Sequence, residues 1–227
     1  MVDGLKKRVL YEHLDKTRYS DALQIQERAH ESIKLSRNGI SGYLFLLEHF
    51  PVITNGRFGS DDNYVLPVPK IEELGVEVHN TDRGGDLTYH GPGQLVSYPI
   101  INLREFNLGA KAYINLLERV LINLLSEYGI DSSRRDGYPG VWTGGQKIAS
   151  IGVSVKNGIT MHGSALNVST DLDSFSLIVP CGISDVVITS MEKVLGSQVP
   201  MESAVKSFIK HFSIVFNTDL NKKNGPN

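Results

Sequence analysis

The sequence contains a single cysteine, Cys181, which lies between a proline and a glycine at the end of an apolar run. A free cysteine has a pKa of about 8.5, so a nucleophilic thiol needs a nearby cation or base to form enough thiolate at neutral pH. Lys147, at the start of an apolar segment, could supply either one. A lone cysteine is more often an inert core residue, and a lysine at a strand end is more often solvated. Neither residue alone therefore establishes a catalytic site.

A second candidate region is the segment 83–94, Arg-Gly-Gly-Asp-Leu-Thr-Tyr-His-Gly-Pro-Gly-Gln. Its glycines would let backbone N–H groups approach a ligand closely, while Arg83 and His90 could orient carbonyl or phosphate oxygens. The alternative is a glycine-rich turn between two strands. The composition predicts a loop, and polar residues within it make it a candidate for ligand binding.

Small residues recur in a third region, along the two segments 144–152 and 161–167. Gly152, Gly163 and Ala165 would leave room along a sheet for a slender ligand, although tight packing against a helix would need the same residues. The dipeptide Asn157-Gly158 lies between runs at 148–155 and 159–168, and it readily adopts the positive φ angles of a type I′ turn. These two runs are therefore predicted to be antiparallel neighbours.

Local patterns also indicate the elements that position these residues. Helices are expected after Tyr19, across 109–128 and after Pro200, and β-rich runs occur at 8–14, 43–48, 76–79 and 95–101. The mixture predicts an α/β or α+β fold with a mostly antiparallel sheet. We expect residues 1–216 to form one catalytic domain and residues 217–227 to be a polar, frayed tail.

Composition and missing motifs exclude several classes of function. The 23 Lys and Arg residues against 25 Asp and Glu residues leave a formal charge of −2, so no bulk positive field favours nucleic acid or an anionic membrane. The sequence has no phosphate-binding glycine motif, no G-x-S-x-G motif and no metal-binding spacing, even counting His79, His90, His162 and Cys181 together. One cysteine rules out an intramolecular disulfide, and the first twenty residues lack a signal peptide, so we expect a cytoplasmic setting.

Five segments in order become recognisable as a set: R-G-G-x-x-T-Y-H-G-P-G-Q at 83–94, P-G-V-W at 139–142, K-I-A-S-I-G at 147–152, H-G-x-A-L-N at 162–167 and P-C-G-I at 180–183. Together they resemble the lipoyl(octanoyl) transferases. The resemblance implies a biotin/lipoate protein ligase fold, with a mixed, mostly antiparallel sheet flanked by helices. It also implies transfer of an octanoyl group from octanoyl-acyl carrier protein to one lysine of a lipoyl domain, the first step of protein lipoylation.

The resemblance further implies partners and site residues. The acceptors would be the lipoyl domains of 2-oxoacid dehydrogenase E2 subunits and the glycine cleavage H protein, and no cofactor would be needed. Cys181 matches the nucleophile that carries the acyl thioester, and Lys147 matches the lysine that activates it. The positions that match acyl-substrate-binding segments are Arg83, Gly84, Gly85, Asp86, Leu87, Thr88, Tyr89, His90, Ser150, Ile151, Gly152, Gly163, Ser164 and Ala165.

Two positions depart from the pattern, and two other functions stay open. Asn55 stands where relatives commonly carry leucine, and Ser164 replaces an often bulkier apolar residue, so Ser164 is expected to alter the fit of the acyl chain. An ATP-dependent lipoate or biotin protein ligase on the same fold would not require Cys181. A non-catalytic module would bind acyl carrier protein or lipoyl domains without turnover.

Overall fold

The structure is a computed structural model that describes residues 6–35, 39–179 and 186–223. Within these ranges the α-helices are α1 (Tyr19–Leu35), α2 (Val68–Glu73), α3 (Ala110–Glu127), α4 (Met191–Leu195) and α5 (Met201–Phe216). The strands are β1 (Lys7–His13), β2 (Gly42–Leu47), β3 (Val52–Asn55), β4 (Glu77–Asn80), β5 (Thr88–His90), β6 (Gln94–Ile101), β7 (Ser133–Arg135), β8 (Tyr138–Thr143), β9 (Gln146–Lys156), β10 (Ile159–Asn167) and β11 (Thr218–Lys222).

Two sheets organise the chain. The larger has eight strands in the order β11-β1-β2-β6-β10-β9-β8-β7, and the smaller has three in the order β4-β3-β5. In the large sheet β1 runs parallel to β2 and β11, while every other neighbouring pair is antiparallel. The predicted mixed, mostly antiparallel sheet flanked by helices is confirmed.

Helices cover both faces of the large sheet. On one face, α3 and α5 bury a cluster that includes Leu117, Leu121, Phe208 and Phe212. On the other face, α1 packs through Ala22, Ala29 and Ile33 against side chains from β2 and β6. The small sheet has its own apolar cluster with α2. The groove between this small sheet and the α1 face of the large sheet is where a ligand pocket forms.

The hairpin of β9 and β10 has the predicted turn. Asn157 and Gly158 have φ angles of 57° and 82°, and Ile159 pairs with Lys156 across the turn. Because both turn residues accept positive φ at low cost, the register of the whole hairpin follows from this dipeptide. The predicted helices after Tyr19, across 109–128 and after Pro200 are confirmed as α1, α3 and α5.

Two predictions about local structure are wrong. The sequence predicts a frayed tail at 217–227, but residues 218–222 form β11, which pairs with β1, and Thr218 is buried. Residues 224–227 lie outside the described residues. The parallel pairing with β1 satisfies the backbone hydrogen-bonding groups of β11. The polar side chains of this segment gave no indication of a strand. The segment 83–94 is also not a continuous loop, since it contains β5 and the first residue of β6.

We predict that Phe212→Ala will lower the free energy of unfolding by about 3 to 5 kcal/mol. Phe212 has no solvent exposure and stacks on Phe216 with ring centroids 4.4 Å apart, so truncation leaves a cavity between α3 and α5. Ile214→Ala, on the same helix but 63% exposed, is the control and should change stability by about 0.5 kcal/mol or less. Urea unfolding would measure both, and equal losses would contradict this packing.

Candidate active site

A pocket of about 530 Å³, including its open mouth, lies between the large sheet and the segment 83–88. The predicted substrate-binding residues that line it are Arg83, Gly84, Gly85, Asp86, Leu87, Thr88, His90, Ser150, Ile151, Gly152, Gly163, Ser164 and Ala165. The structure therefore brings nearly the whole predicted set to one place, while their part in binding stays a prediction.

Tyr89 is the exception. It is buried and packs edge-on against Phe175, with ring centroids 5.5 Å apart, in the apolar cluster of the small sheet. Successive side chains of a strand point to opposite faces, so with Thr88 and His90 at the pocket, Tyr89 faces away from it. Tyr89 therefore does not line this pocket, and its assignment as a substrate-binding residue stays a prediction.

The pocket floor is made of small residues on neighbouring strands. Ser150 of β9 pairs with Ala165 of β10, and Gly152 pairs with Gly163. Ala165 in turn pairs with Val96 of β6. Because these positions alternate along their strands, the same sheet face carries little side-chain volume on β9 and β10, while Val96 of β6 borders this stretch. This leaves a narrow trough that suits an extended, unbranched ligand.

A close backbone approach forms the roof. Gly84 N–H donates to the carbonyl of Val153, with N and O 2.9 Å apart. A Cβ added at Gly152 would lie 2.8 Å from the carbonyl oxygen of Gly84. Any larger residue at position 152 would therefore push the segment 83–85 off the sheet and change the shape of the pocket.

Ser164 reaches the pocket by its backbone rather than its side chain. Its Oγ lies 2.6 Å from Oγ of Ser97, and both residues are buried. Leu166, two residues on, belongs to the cluster under α3, whereas Ala165 faces α1. Strand alternation thus turns the Ser164 side chain away from the trough. The expected effect of Ser164 on the fit of the acyl chain is therefore not supported by a direct side-chain contact.

Arg83 places a buried positive charge beside the pocket. Its Nε donates to Thr54 Oγ1 at 3.0 Å, and its Nη1 donates to the carbonyl of Gly84 at 3.1 Å. Only 7% of the residue is exposed. A guanidinium keeps its charge under all ordinary conditions, so this wall of the pocket is permanently cationic.

Lys147 also lines the pocket and is 5% exposed. Its backbone N–H donates to the carbonyl of Val187 at 2.8 Å, and its carbonyl accepts from Thr189 N–H at 3.0 Å. Its Nζ lies 5.5 Å from the ring centroid of Trp142. The sequence prediction pairs Lys147 with Cys181, which lies outside the described residues, six positions before Val187.

Two histidines beside the pocket are neutral at pH 7. Burial lowers the pKa of His49 to about 4 and the pKa of His90 to about 3. The Nδ1 of His49 donates to the carbonyl of Thr17 at 2.8 Å, which leaves its Nε2 to accept from the Tyr98 hydroxyl at 2.7 Å. Burial raises the pKa of Tyr98, so that phenol keeps its proton.

A third histidine that lines the pocket, His162, is hydrogen-bonded to Asp82. Its Nε2 lies 2.7 Å from Oδ1 of Asp82, and this hydrogen bond is the main reason that the pKa of Asp82 falls to about 2. His162 has a φ of 58°, and its backbone N–H donates to Gln26 of α1 at 2.8 Å. The backbone of His162 is thus held by a helix residue, and its side chain is oriented by an ionised carboxylate.

Sequence reasoning missed several residues of the pocket wall. They come from segments distant in sequence from the recognised motifs, or from motif positions not assigned to the site: Tyr19, Val96, Tyr98 and His162. No local signal marks Tyr19 or Tyr98, because each reaches the pocket only through tertiary packing. Among the described residues, no group of three His, Cys, Asp or Glu side chains is arranged to hold a metal ion. No described helix has the length and apolar content needed to cross a membrane.

The arrangement combines an apolar trough with two basic side chains, the carboxylate of Asp86, aromatic groups and the neutral imidazole of His90. Such a pocket suits a ligand with a hydrocarbon tail and a head that develops negative charge during reaction. A bare carboxylate or phosphate is not required, since the trough itself offers mainly small and apolar surface.

Residues 18–213 match the family described as the lipoyl protein ligase A/B catalytic domain. An octanoyltransferase of Alkaliphilus metalliredigens is 47% identical over 209 residues, which cover 92% of this chain and 95% of that protein. An octanoyltransferase of Caldicellulosiruptor saccharolyticus is also 47% identical, over 90% of this chain and 87% of that protein.

Solved structures support the same fold. A bipartite lipoate protein ligase of Thermoplasma acidophilum aligns with a TM-score of 0.76 at 16% identity, over 96% of this chain and 86% of that one. A biotin protein ligase of Aquifex aeolicus aligns with a TM-score of 0.52 at 16% identity, over 93% of this chain and 71% of that one. The chain belongs to the lipoyl protein ligase A/B catalytic-domain family and, within it, to the octanoyltransferases, which are acyltransferases.

Proposed function

We propose that this acyltransferase moves an octanoyl group from octanoyl-acyl carrier protein to one lysine of a lipoyl domain, through a thioester on Cys181. The observation that carries the proposal is the position of Lys147. This lysine is buried at the wall of the apolar trough, and its backbone pairs with the segment that follows Cys181 by six residues. The octanoyltransferases that are 47% identical to the chain favour the C8 acyl group as the cargo.

The trough provides a seat for the acyl tail. An octanoyl chain has about seven carbons beyond its carbonyl, and each buried methylene contributes about 0.8 kcal/mol, so full burial would supply roughly 5 to 6 kcal/mol. The floor residues Ser150, Gly152 and Ala165 have small side chains, which favours an unbranched acyl tail along this path. Branched or aromatic acyl groups would clash with the closely approaching roof at Gly84.

In the first half-reaction the thiolate of Cys181 attacks the thioester carbon of the donor. The carbon–sulfur bond to the carrier breaks, a new carbon–sulfur bond to Cys181 forms, and the carrier thiolate leaves with a proton from Lys147. One thioester replaces another, so no nucleotide is consumed. Lys147 in its cationic form stabilises the Cys181 thiolate before attack, and in its neutral form it takes the thiol proton.

In the second half-reaction the acceptor lysine amine attacks the acyl-cysteine. At neutral pH the deprotonation of this amine costs about 4 to 5 kcal/mol, given a lysine pKa near 10.4. Lys147, having given up its proton to the carrier, receives the proton of the attacking amine, and the Cys181 thiolate is released. The amide of Gly84 is already bonded to Val153, so the oxyanion must be stabilised by other donors.

The proposed partners are those that the resemblance to the lipoyl(octanoyl) transferases implies. The donor is a carrier-bound thioester, and the acceptors are the lipoyl domains of 2-oxoacid dehydrogenase E2 subunits and the glycine cleavage H protein. The reaction needs no cofactor, and the proposed setting is the cytoplasm. An ATP-dependent ligase on the same fold is the alternative, and it would release adenosine monophosphate from a free acid without acylating Cys181.

We predict that the protein mixed with octanoyl-acyl carrier protein alone will gain one octanoyl group on Cys181, as measured by intact mass and peptide mapping. Cys181→Ala should abolish both this adduct and transfer to a lipoyl domain, because no other thiol exists in the chain. Circular dichroism would show that the variant is folded. Undiminished octanoylation by Cys181→Ala, or dependence of the wild type on ATP, would exclude the thioester route.

We predict that Lys147→Met will slow both half-reactions by at least about 100-fold, because the cation near the thiol and the proton carrier are lost together. Lys147→Arg should restore thiolate formation without restoring proton transfer. Lys156→Met, an exposed lysine on the same strand, is the matched control. Single-turnover rates and the pH dependence of thiol alkylation would measure these effects. If both were unchanged in Lys147→Met, Lys147 would have no role in catalysis.

We predict that Ser150→Phe will lower kcat/KM for octanoyl donors by about tenfold or more, since loss of even ~1.4 kcal/mol of tail binding has that effect. Shorter butyryl donors should be affected less, because they do not fill the trough. Val155→Phe, on the same strand but 39% exposed and outside the pocket, is the control. Position 163 is less informative, because a Cβ there would lie 2.1 Å from the Ser97 carbonyl and disturb the sheet. An equal loss of kcat/KM for butyryl and octanoyl donors would show that the acyl tail does not bind in this trough.

A further inference from the structure

A continuous chain of buried hydrogen bonds links His90 to the segment that pairs with Lys147. The His90 Nδ1 lies 2.7 Å from Gln94 Oε1, and Gln94 Nε2 lies 2.9 Å from Asn167 Oδ1. Asn167 Nδ2 then lies 2.9 Å from the carbonyl oxygen of Thr189. The histidine and both amide residues are at least 93% buried, so solvent does not compete for these bonds. We call this chain the amide relay.

Backbone carbonyls set the direction of the amide relay. The Thr189 carbonyl can only accept, so Asn167 must turn its NH₂ group towards it and its oxygen towards Gln94. The Gln94 NH₂ group also donates to the carbonyl of Tyr89, at 3.2 Å, which sets its orientation independently. Gln94 therefore presents its oxygen to His90, and His90 Nδ1 must carry the proton.

This polarity determines what His90 shows to the pocket. A neutral imidazole has one donor and one acceptor nitrogen, and with Nδ1 protonated the lone pair is on Nε2. His90 lines the pocket, and within the described part of the chain no residue is hydrogen-bonded to Nε2. His90 thus offers the pocket an acceptor of fixed orientation.

The other end of the amide relay reaches Lys147. Thr189 accepts from Asn167 with its carbonyl and donates with its N–H to the carbonyl of Lys147, at 3.0 Å. The position of Lys147 on β9 is therefore coupled to the position of Asn167 on β10 and of Gln94 on β6. Gln94 and Asn167, which do not line the pocket, thus link two residues that do, His90 and Lys147.

We infer that Gln94 and Asn167 are positioning residues for acyl transfer, which hold His90 in a single tautomer and hold the strand partner of Lys147 in place. This inference rests on the proposed function, since it assigns Lys147 the proton-transfer role. A displacement of about 1 Å at a catalytic group can cost on the order of 100-fold in rate, so a small loss of register is sufficient for a measurable effect.

The first test is spectroscopic and independent of activity. In the wild-type protein at pH 7, ¹⁵N NMR should show His90 as the neutral form with the proton on Nδ1. Gln94→Glu should keep the proton on Nδ1, since a carboxylate also accepts from that nitrogen. In Gln94→Leu this acceptor is lost, so His90 should adopt the other tautomer or exchange between the two tautomers. A wild-type His90 with its proton on Nε2 would overturn the inference, whatever the outcome for Cys181 acylation.

The second test separates positioning from packing. Asn167→Asp keeps the shape of the side chain but places a carboxylate oxygen against the Thr189 carbonyl oxygen, so that two acceptors face each other. We expect kcat to fall about 10- to 100-fold in both half-reactions, while KM for the donor changes less than about twofold. Asn167→Ser, which can still donate, should retain more activity than Asn167→Asp. Asn221→Asp, an exposed position on β11, is the control.

The two proposals fail in distinguishable ways. Folded Asn167→Asp with wild-type rates would overturn the positioning role while leaving acylation of Cys181 intact. A loss confined to KM would also overturn it, because the relay would then serve binding alone. If the wild-type protein forms no acyl-cysteine, the proposed function fails, and the His90 tautomer still decides whether the amide relay has the stated polarity.

Discussion

The hydrogen bond from Gly84 N–H to the Val153 carbonyl joins the loop of the small sheet to the large sheet, and the pocket exists because of it. This bond requires the two backbones to touch, which glycine at 84 and 152 permits. Once the backbones meet there, the guanidinium of Arg83 is enclosed against Thr54, and the trough over Ser150 and Ala165 becomes a covered channel. The pocket is thus made by main-chain contact, and side chains only refine its shape.

The same enclosure explains the electrostatics of the site. Burial disfavours charge, so His49 and His90 are neutral and Tyr98 keeps its proton. Arg83 is enclosed in the same place, and its hydrogen bonds to Thr54 and Gly84 orient the guanidinium. Burial thus selects neutral imidazoles and a protonated phenol beside an oriented arginine.

Sequence reasoning succeeded where the signal was local or carried by a recognised motif. The Asn157-Gly158 turn set the register of β9 and β10, and motif positions led to almost every small residue of the trough. It did not indicate that Tyr89 faces away from the pocket, because the face of a three-residue strand depends on a pairing partner that the segment itself does not reveal. It also failed for Tyr19 and Tyr98, which are separated by 79 positions in sequence and share a pocket only after α1 has packed on the sheet.

The fold is common to ligases and transferases, so the reaction must be selected by the chemistry of the pocket and not by the architecture. Here the permanent charge of Arg83 and the amine of Lys147 face the same apolar volume. In the proposed exchange of an acyl group between thiols, negative charge develops on the attacking sulfur and on the carbonyl oxygen, whereas the resting thioester is neutral. Under that proposal, a basic group near the carbonyl stabilises the transition state more than the bound substrate, which is the condition for catalysis. The inferred positioning role of Gln94 and Asn167 has the same basis, because a preorganised group accelerates a reaction only if it does not move.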